Sequence, residues 1–104
     1  MSTRTEKIRE ILREVAAEYI LREASPQSLI TVTRTSVTED GKRGTIFISV
    51  LPDSAETAAL DFTNRHRRDL AHFFKTRVKG VYPPHMEFVI DKGEKMRQRL
   101  DELS

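Results

Sequence analysis

The sequence predicts an α+β domain with the order α–β–β–α–α–β. Three observations predict it. Residues 29–51 read as two β-rich runs meeting at an Asp40-Gly41 turn, a hairpin signal. An amphipathic stretch precedes them. A longer helical stretch, interrupted by a basic cluster, follows and leads through Pro83-Pro84 to a short apolar strand. With 104 residues the chain is a single domain, residues 1–104, that can bury roughly two-thirds of its unfolded surface. Its 33% charged and 38% hydrophobic content fits a folded globule and not a disordered chain.

The first helix follows from spacing. Ile8, Ile11, Leu12, Val15, Ala16, Tyr19 and Ile20 recur at i, i+3, i+4 and i+7 and make one apolar stripe. Thr3-x-x-Glu6 fits a capping box, and Pro26 ends the helix because it pushes Ser25 out of the α region. Arg9, Arg13 and Arg22 alternate with Glu10, Glu14 and Glu18 on the opposite side, a solvated face with no function assigned.

In the first strand Ile30 and Val32 share one face, while Thr35 and Val37 fall on the other phase. Strict alternation would turn half of them outward, so a β-bulge is expected around Thr33-Arg34. The second strand alternates Ile46, Ile48 and Val50 with Thr45, Phe47, Ser49 and Leu51. Both of its faces are partly apolar, which places it at the centre of a three-stranded sheet. Pro52 stops it, and Asp53-x-x-Glu56 reads as a second capping box.

The following helical stretch begins with Ala55, Ala58, Ala59 and Phe62 and then loses its pattern through Asn64-Arg65-His66-Arg67-Arg68. The apolar rhythm resumes at Leu70, Phe73, Phe74 and Val78. Two helices meeting at a kink explain this better than one. A strand over residues 86–91 then returns parallel to its neighbour by a right-handed crossover. Met96, Leu100 and Leu103 allow a short closing helix within residues 94–103. The expected core is Ile8, Leu12, Val15, Tyr19, Ile46, Ile48, Phe62, Leu70, Phe73 and Phe88, with the helices on one face of the sheet.

Charge is unevenly distributed behind a net +2. Residues 1–26 carry five Lys/Arg and five Glu, and residues 53–62 carry three acids and no base. Residues 63–86 hold Arg65, Arg67, Arg68, Lys75, Arg77 and Lys79 against Asp69 alone. Such concentration points to a polyanionic partner. Without Cys there is no disulfide or thiolate metal site. The charged start lacks the apolar core of a secretory signal, and no run is long enough to span a membrane. A cytoplasmic protein with no membrane partner is expected.

Few strings carry chemistry. Gly41-Lys42-Arg43-Gly44 has the GXXG spacing of a phosphate clamp, but it lies between strands and not between helices. A tight turn explains both glycines. The cluster Arg65, His66, Arg67, Arg68, by contrast, lies at the helix junction where such a clamp belongs. With Lys75, Arg77 and Lys79 it is the candidate RNA-binding surface, since arginines grip phosphates and stack on unpaired bases. His66, His72 and His85 match no metal-ligand spacing, and no nucleophile or nucleotide-binding string is present. No enzyme activity, cofactor or metal is expected.

These residues resemble the bacterial ribosome-binding factor A family. Residues 30–51, ITVTRTSVTEDGKRGTIFISVL, are similar to its first two strands, phase shift included. Pro84-His85-Met86-Glu87-Phe88-Val89-Ile90-Asp91 resembles its PELxFxxD strand, and Arg99-Leu100-Asp101-Glu102-Leu103 its closing RIDELL. The family's Asp-Pro-Arg is replaced by Ser25-Pro26-Gln27, and its Ala-x-Gly kink falls on His66-Arg67-Arg68, the marks of a divergent member. The resemblance implies a type II KH-like fold. It also implies a monomeric, non-enzymatic factor that binds the small ribosomal subunit and its rRNA, assisting late maturation and rRNA processing. The alternative is a KH-like module whose charged face binds a protein without touching RNA.

Overall fold

The computed structural model describes residues 3–24 and 28–103. The chain forms α1 (Thr3–Glu23), β1 (Leu29–Val37), β2 (Arg43–Leu51), a 3₁₀ turn (Asp53–Ala55), α2 (Glu56–Arg65), α3 (Arg67–Arg77), β3 (His85–Ile90) and α4 (Lys92–Leu103). This is the type II KH-like order. The sheet runs β1-β2-β3, with β1 antiparallel and β3 parallel to the central β2.

The bulge lies where the phase shift requires it. Val32 pairs with Ile48 and Arg34 with Phe47, which leaves Thr33 as the additional residue. Ile30, Val32, Thr35 and Val37 therefore stand opposite Val50, Ile48, Ile46 and Gly44, all on the helix-covered face. Along β2, Gly44, Ile46, Ile48 and Val50 are buried, while Thr45, Phe47 and Ser49 are half-buried on the other face.

α1 lays Ile8, Leu12, Val15, Ala16, Tyr19 and Ile20 on the sheet, and Leu70, Phe74, Ala59, Met86 and Phe88 complete the core. Thr3 already lies inside the helix, so the residue before it, which would cap it, falls outside the described residues, as does the Ser25-Pro26 stop. Two expected core residues are displaced. Successive helical residues diverge by roughly 100°, so Phe73 and Phe74 cannot both face the sheet. Leu70 and Phe74, one turn apart, take that direction. Phe73 is half-buried and turns toward α1, with its ring 5.7 Å from that of Tyr19. Phe62 is half-buried beneath His66.

The second capping box does not form. Pro52 precedes the 3₁₀ turn without a side-chain cap, and Glu56 begins α2. Asp53 and Glu56 instead face Lys95 of α4, at 3.8 and 3.0 Å. α4 is longer than expected because Asp91 caps it: Oδ1 accepts from the Glu94 N–H at 3.0 Å. The other oxygen, Oδ2, accepts from the Thr33 hydroxyl at 2.6 Å and from Arg34 Nε at 3.3 Å. This carboxylate is 2% exposed. Burial raises its pKa, but the Thr33 hydroxyl, the Glu94 N–H and the Arg34 charge outweigh burial and hold it below its ordinary 3.8.

Ile48→Ala and Phe88→Ala should each cost about 2–5 kcal/mol in denaturant unfolding. Phe74→Ala should cost at least about 1 kcal/mol more than Phe73→Ala, because only Phe74 leaves a closed cavity. Since its folded pKa is depressed, Asp91 contributes stability that is complete above about pH 4 and is lost as pH falls through the folded value. Asp91→Asn should lower stability at neutral pH and flatten the acid limb of a stability–pH curve below about pH 4.

Candidate nucleic-acid interface

The helix break is a single residue. His66, with φ −95° and ψ 8°, separates α2 from α3. Its N–H is shared between the Phe62 and Thr63 carbonyls at 3.2 and 3.1 Å. Its ring Nδ1 lies 2.7 Å from the same Phe62 carbonyl, and a carbonyl can only accept, so Nδ1 carries the proton. The imidazole also stacks on Phe62, centroids 4.2 Å apart. The break is thus held by a histidine that bonds backward. Of the candidate residues, His66 forms the break itself, with Nδ1 engaged by the backbone.

The arginines on either side of the break bond to carbonyls of the last turns of α2. Arg65 Nε donates to the Asp61 carbonyl at 3.2 Å, and Arg67 Nε to that of Asn64 at 3.0 Å. Cations favour the negative end of a helix dipole, and each guanidinium keeps further donors for a ligand. Arg68 lies in the first turn of α3 and is exposed. Among the described residues, no carboxylate lies within ion-pair distance of Arg65, Arg67 or Arg68. The acid in the first turn of α3, Asp69, accepts the Tyr19 hydroxyl at 2.6 Å. Burial, then this bond to Asp69, pushes the Tyr19 phenol well above its ordinary range.

A groove of about 540 Å³ opens between this junction and the start of β3, lined by Asn64, Arg65, Arg67, Arg68, Pro84 and His85 among others. Asn64 holds its far wall. Its Oδ1 accepts from the Phe88 N–H at 3.2 Å and its Nδ2 donates to the Phe88 carbonyl at 3.5 Å. It thereby satisfies the edge of β3 that β2 does not reach. Sequence reasoning passed over Asn64 and His85, because only the fold brings residues 64 and 85 together.

The remaining candidates lie further along α3 or beyond it. Arg77 pairs with Glu18 at 2.7 Å and lies over Phe73 at 4.7 Å. Lys75 is 5.4 Å from the Tyr82 ring, and Lys79 is exposed beyond the helix. Among the described residues no group of His, Cys, Asp or Glu could hold a metal ion. No helix among them is long and apolar enough to cross a membrane.

The GXXG string serves the turn. Gly41 has φ 73°, and the Asp40 carboxylate accepts from Thr38 Oγ1 and the Lys42 N–H at 2.6 and 3.0 Å. A Cβ at Gly44 would meet Leu12 at 2.8 Å and Pro84 at 3.2 Å.

The α–β–β–α–α–β order around a three-stranded mixed sheet defines a KH-like domain of the second type. The chain belongs to the Ribosome-binding factor A family, whose model matches residues 4–104. It is 29% identical to Ribosome-binding factor A of Chlorobium luteolum, over 99% of this chain and 90% of that protein. With that of Chlorobaculum parvum it shares 30%, over 99% and 89%. A crystal structure of ribosome-binding factor A from Thermus thermophilus superposes with TM-score 0.73 at 24% identity, over 83% of this chain and 94% of that one. A Thermus thermophilus RbfA homology model fitted into the cryo-EM map of a 30S-RbfA complex superposes with TM-score 0.72 at 24% identity, over 83% and 93%.

Gly44→Ala should destabilise the protein by about 1–3 kcal/mol, because fully buried Leu12 and the Pro84 ring cannot yield. Lys42→Ala combined with Arg43→Ala, both exposed, should leave the denaturation midpoint nearly unchanged, within about 0.5 kcal/mol.

Proposed function

We propose that this protein is a non-enzymatic assembly factor that binds the small ribosomal subunit in the cytoplasm. It docks on rRNA and assists late maturation and rRNA processing. The observation that carries this reading is the groove holding Arg65, Arg67 and Arg68, three guanidiniums with no carboxylate within ion-pair distance among the described residues, beside a helix N-terminus. Phosphates of an RNA strand would take the donors that backbone carbonyls leave open. The family membership and the 30S complex of the Thermus relative support the small subunit as the partner. His66 sets the angle of the junction, while Lys75 and Lys79 extend the positive field along one side. Arg77 is already engaged by Glu18 and contributes least.

Sedimentation of cell extract should find the protein with free small subunits. Recovery only in an RNA-free complex would favour the protein-binding alternative. With purified RNA, log affinity should fall with log salt at a slope of about −2 to −3, from roughly 0.7–0.9 per phosphate at three arginines. Arg68→Glu should reduce that slope by about one phosphate and leave thermal unfolding unchanged, since an acid in the first turn of α3 suits the helix dipole. Equal slopes for the two proteins would remove the junction from the interface.

A further inference from the structure

A second cleft of about 430 Å³ lies on the other side of the segment leading into β3. Its apolar wall is Ile8 of α1 with Val81 and Pro83, and its rim is the 39–42 hairpin turn and Tyr82. Tyr82 is 84% exposed, so its ring is open to solvent. The Lys75 ammonium stands 5.4 Å from its centroid, and the Lys42 side chain is exposed at the rim. The only other tyrosine, Tyr19, is buried in the core.

We infer that this cleft is a nucleobase subsite for single-stranded RNA, in which an unpaired base stacks on Tyr82 and the adjoining phosphate meets Lys75 or Lys42. The inference rests on the RNA-binding reading given above and extends it to a site of different chemistry. An exposed ring beside an apolar wall suits a base face, and cations beside the ring suit the backbone that carries the base. The lining carries Arg4 and Lys42 against Glu39 and Asp40, and this balanced charge suits a neutral base over a bare phosphate. Asp40 is occupied by Thr38 Oγ1 and the Lys42 N–H, and the Glu39 carboxylate would repel a phosphate but can accept from an exocyclic base amine.

The cleft adjoins the arginine groove across one shared wall. Val81, Tyr82 and Pro83 line the cleft, and the next residues, Pro84 and His85, line the groove. The His85 N–H donates to the Lys42 carbonyl at 2.7 Å, which fixes the hairpin turn to the wall the two sites share. Tyr82 and His85 are three residues apart, at most about 10 Å of chain. One strand leaving the arginines can therefore reach the tyrosine.

The chain has no Trp and two tyrosines, so the part of RNA-induced tyrosine quenching that is lost in Tyr82→Phe reports on Tyr82. The probe is an unstructured oligo(A) RNA, titrated into the full chain at several salt concentrations. Tyr82→Ala should weaken binding roughly 5- to 150-fold, the range for one stacked base, with the salt slope unchanged. Tyr82→Phe should keep the affinity within about twofold, since it keeps the stacking face, and should lose that part of the quenching. If Tyr82→Ala binds as tightly as the wild type while Arg68→Glu does not, the cleft is no subsite and the arginine groove stands. If Tyr82→Ala lowers the slope as Arg68→Glu does, the residue only positions cations and the stacking assignment fails. A wild type without RNA affinity would remove both.

Discussion

The extra residue at Thr33 sets the sheet and most of what is attached to it. Side chains alternate with a period of two, so one unpaired residue in β1 lets Ile30, Val32, Thr35 and Val37 all face the helices. The same residue, freed from the ladder, offers its hydroxyl to Asp91, while Arg34 beside it lies over Phe47 at 3.6 Å. Asp91 closes β3 and caps α4, so one buried carboxylate joins the first strand to the last helix across 58 residues of sequence. A buried charge is tolerated only with partners, and here both oxygens have them. Removing the bulge would therefore dislocate the sheet register and leave that charge uncompensated.

The charge of the helix junction follows a similar logic. Exposed ion pairs contribute little to stability, so arginines without partners cost the fold almost nothing. Several acids of the surrounding elements are engaged elsewhere: Asp69 by Tyr19, Glu18 by Arg77, Asp53 and Glu56 by Lys95. Arg65 and Arg67 are held in place by backbone carbonyls, which orient a guanidinium without cancelling its charge. This combination suits a surface that meets phosphates.

The segment from Val81 to His85 separates two sites of different chemistry. On one side stand three arginines, on the other an exposed ring with single ammonium groups near it. Gly44 permits the arrangement, since only a residue without Cβ lets Pro84 and Leu12 close on β2. The turn that carries a clamp-like string thus supports the shared wall, a packing role in place of phosphate binding.

Periodicity alone determined the element order, the α1 stripe, the central position of β2, the bulge and the break between α2 and α3. These are local consequences of spacing, and a sequence records spacing directly. The basic cluster was equally legible, because charge can be counted. Only the tertiary structure decided which of Phe73 and Phe74 is buried, since neighbouring helical residues compete for one direction and the sheet selects between them. It alone also showed that Asp53 and Glu56 hold Lys95 and do not cap their helix, and that Asn64 and His85 share a groove. It separated the arginines beside that groove from Arg77, which Glu18 holds on another face. Each of these depends on residues distant in sequence, and the distances between them are fixed only when the core closes.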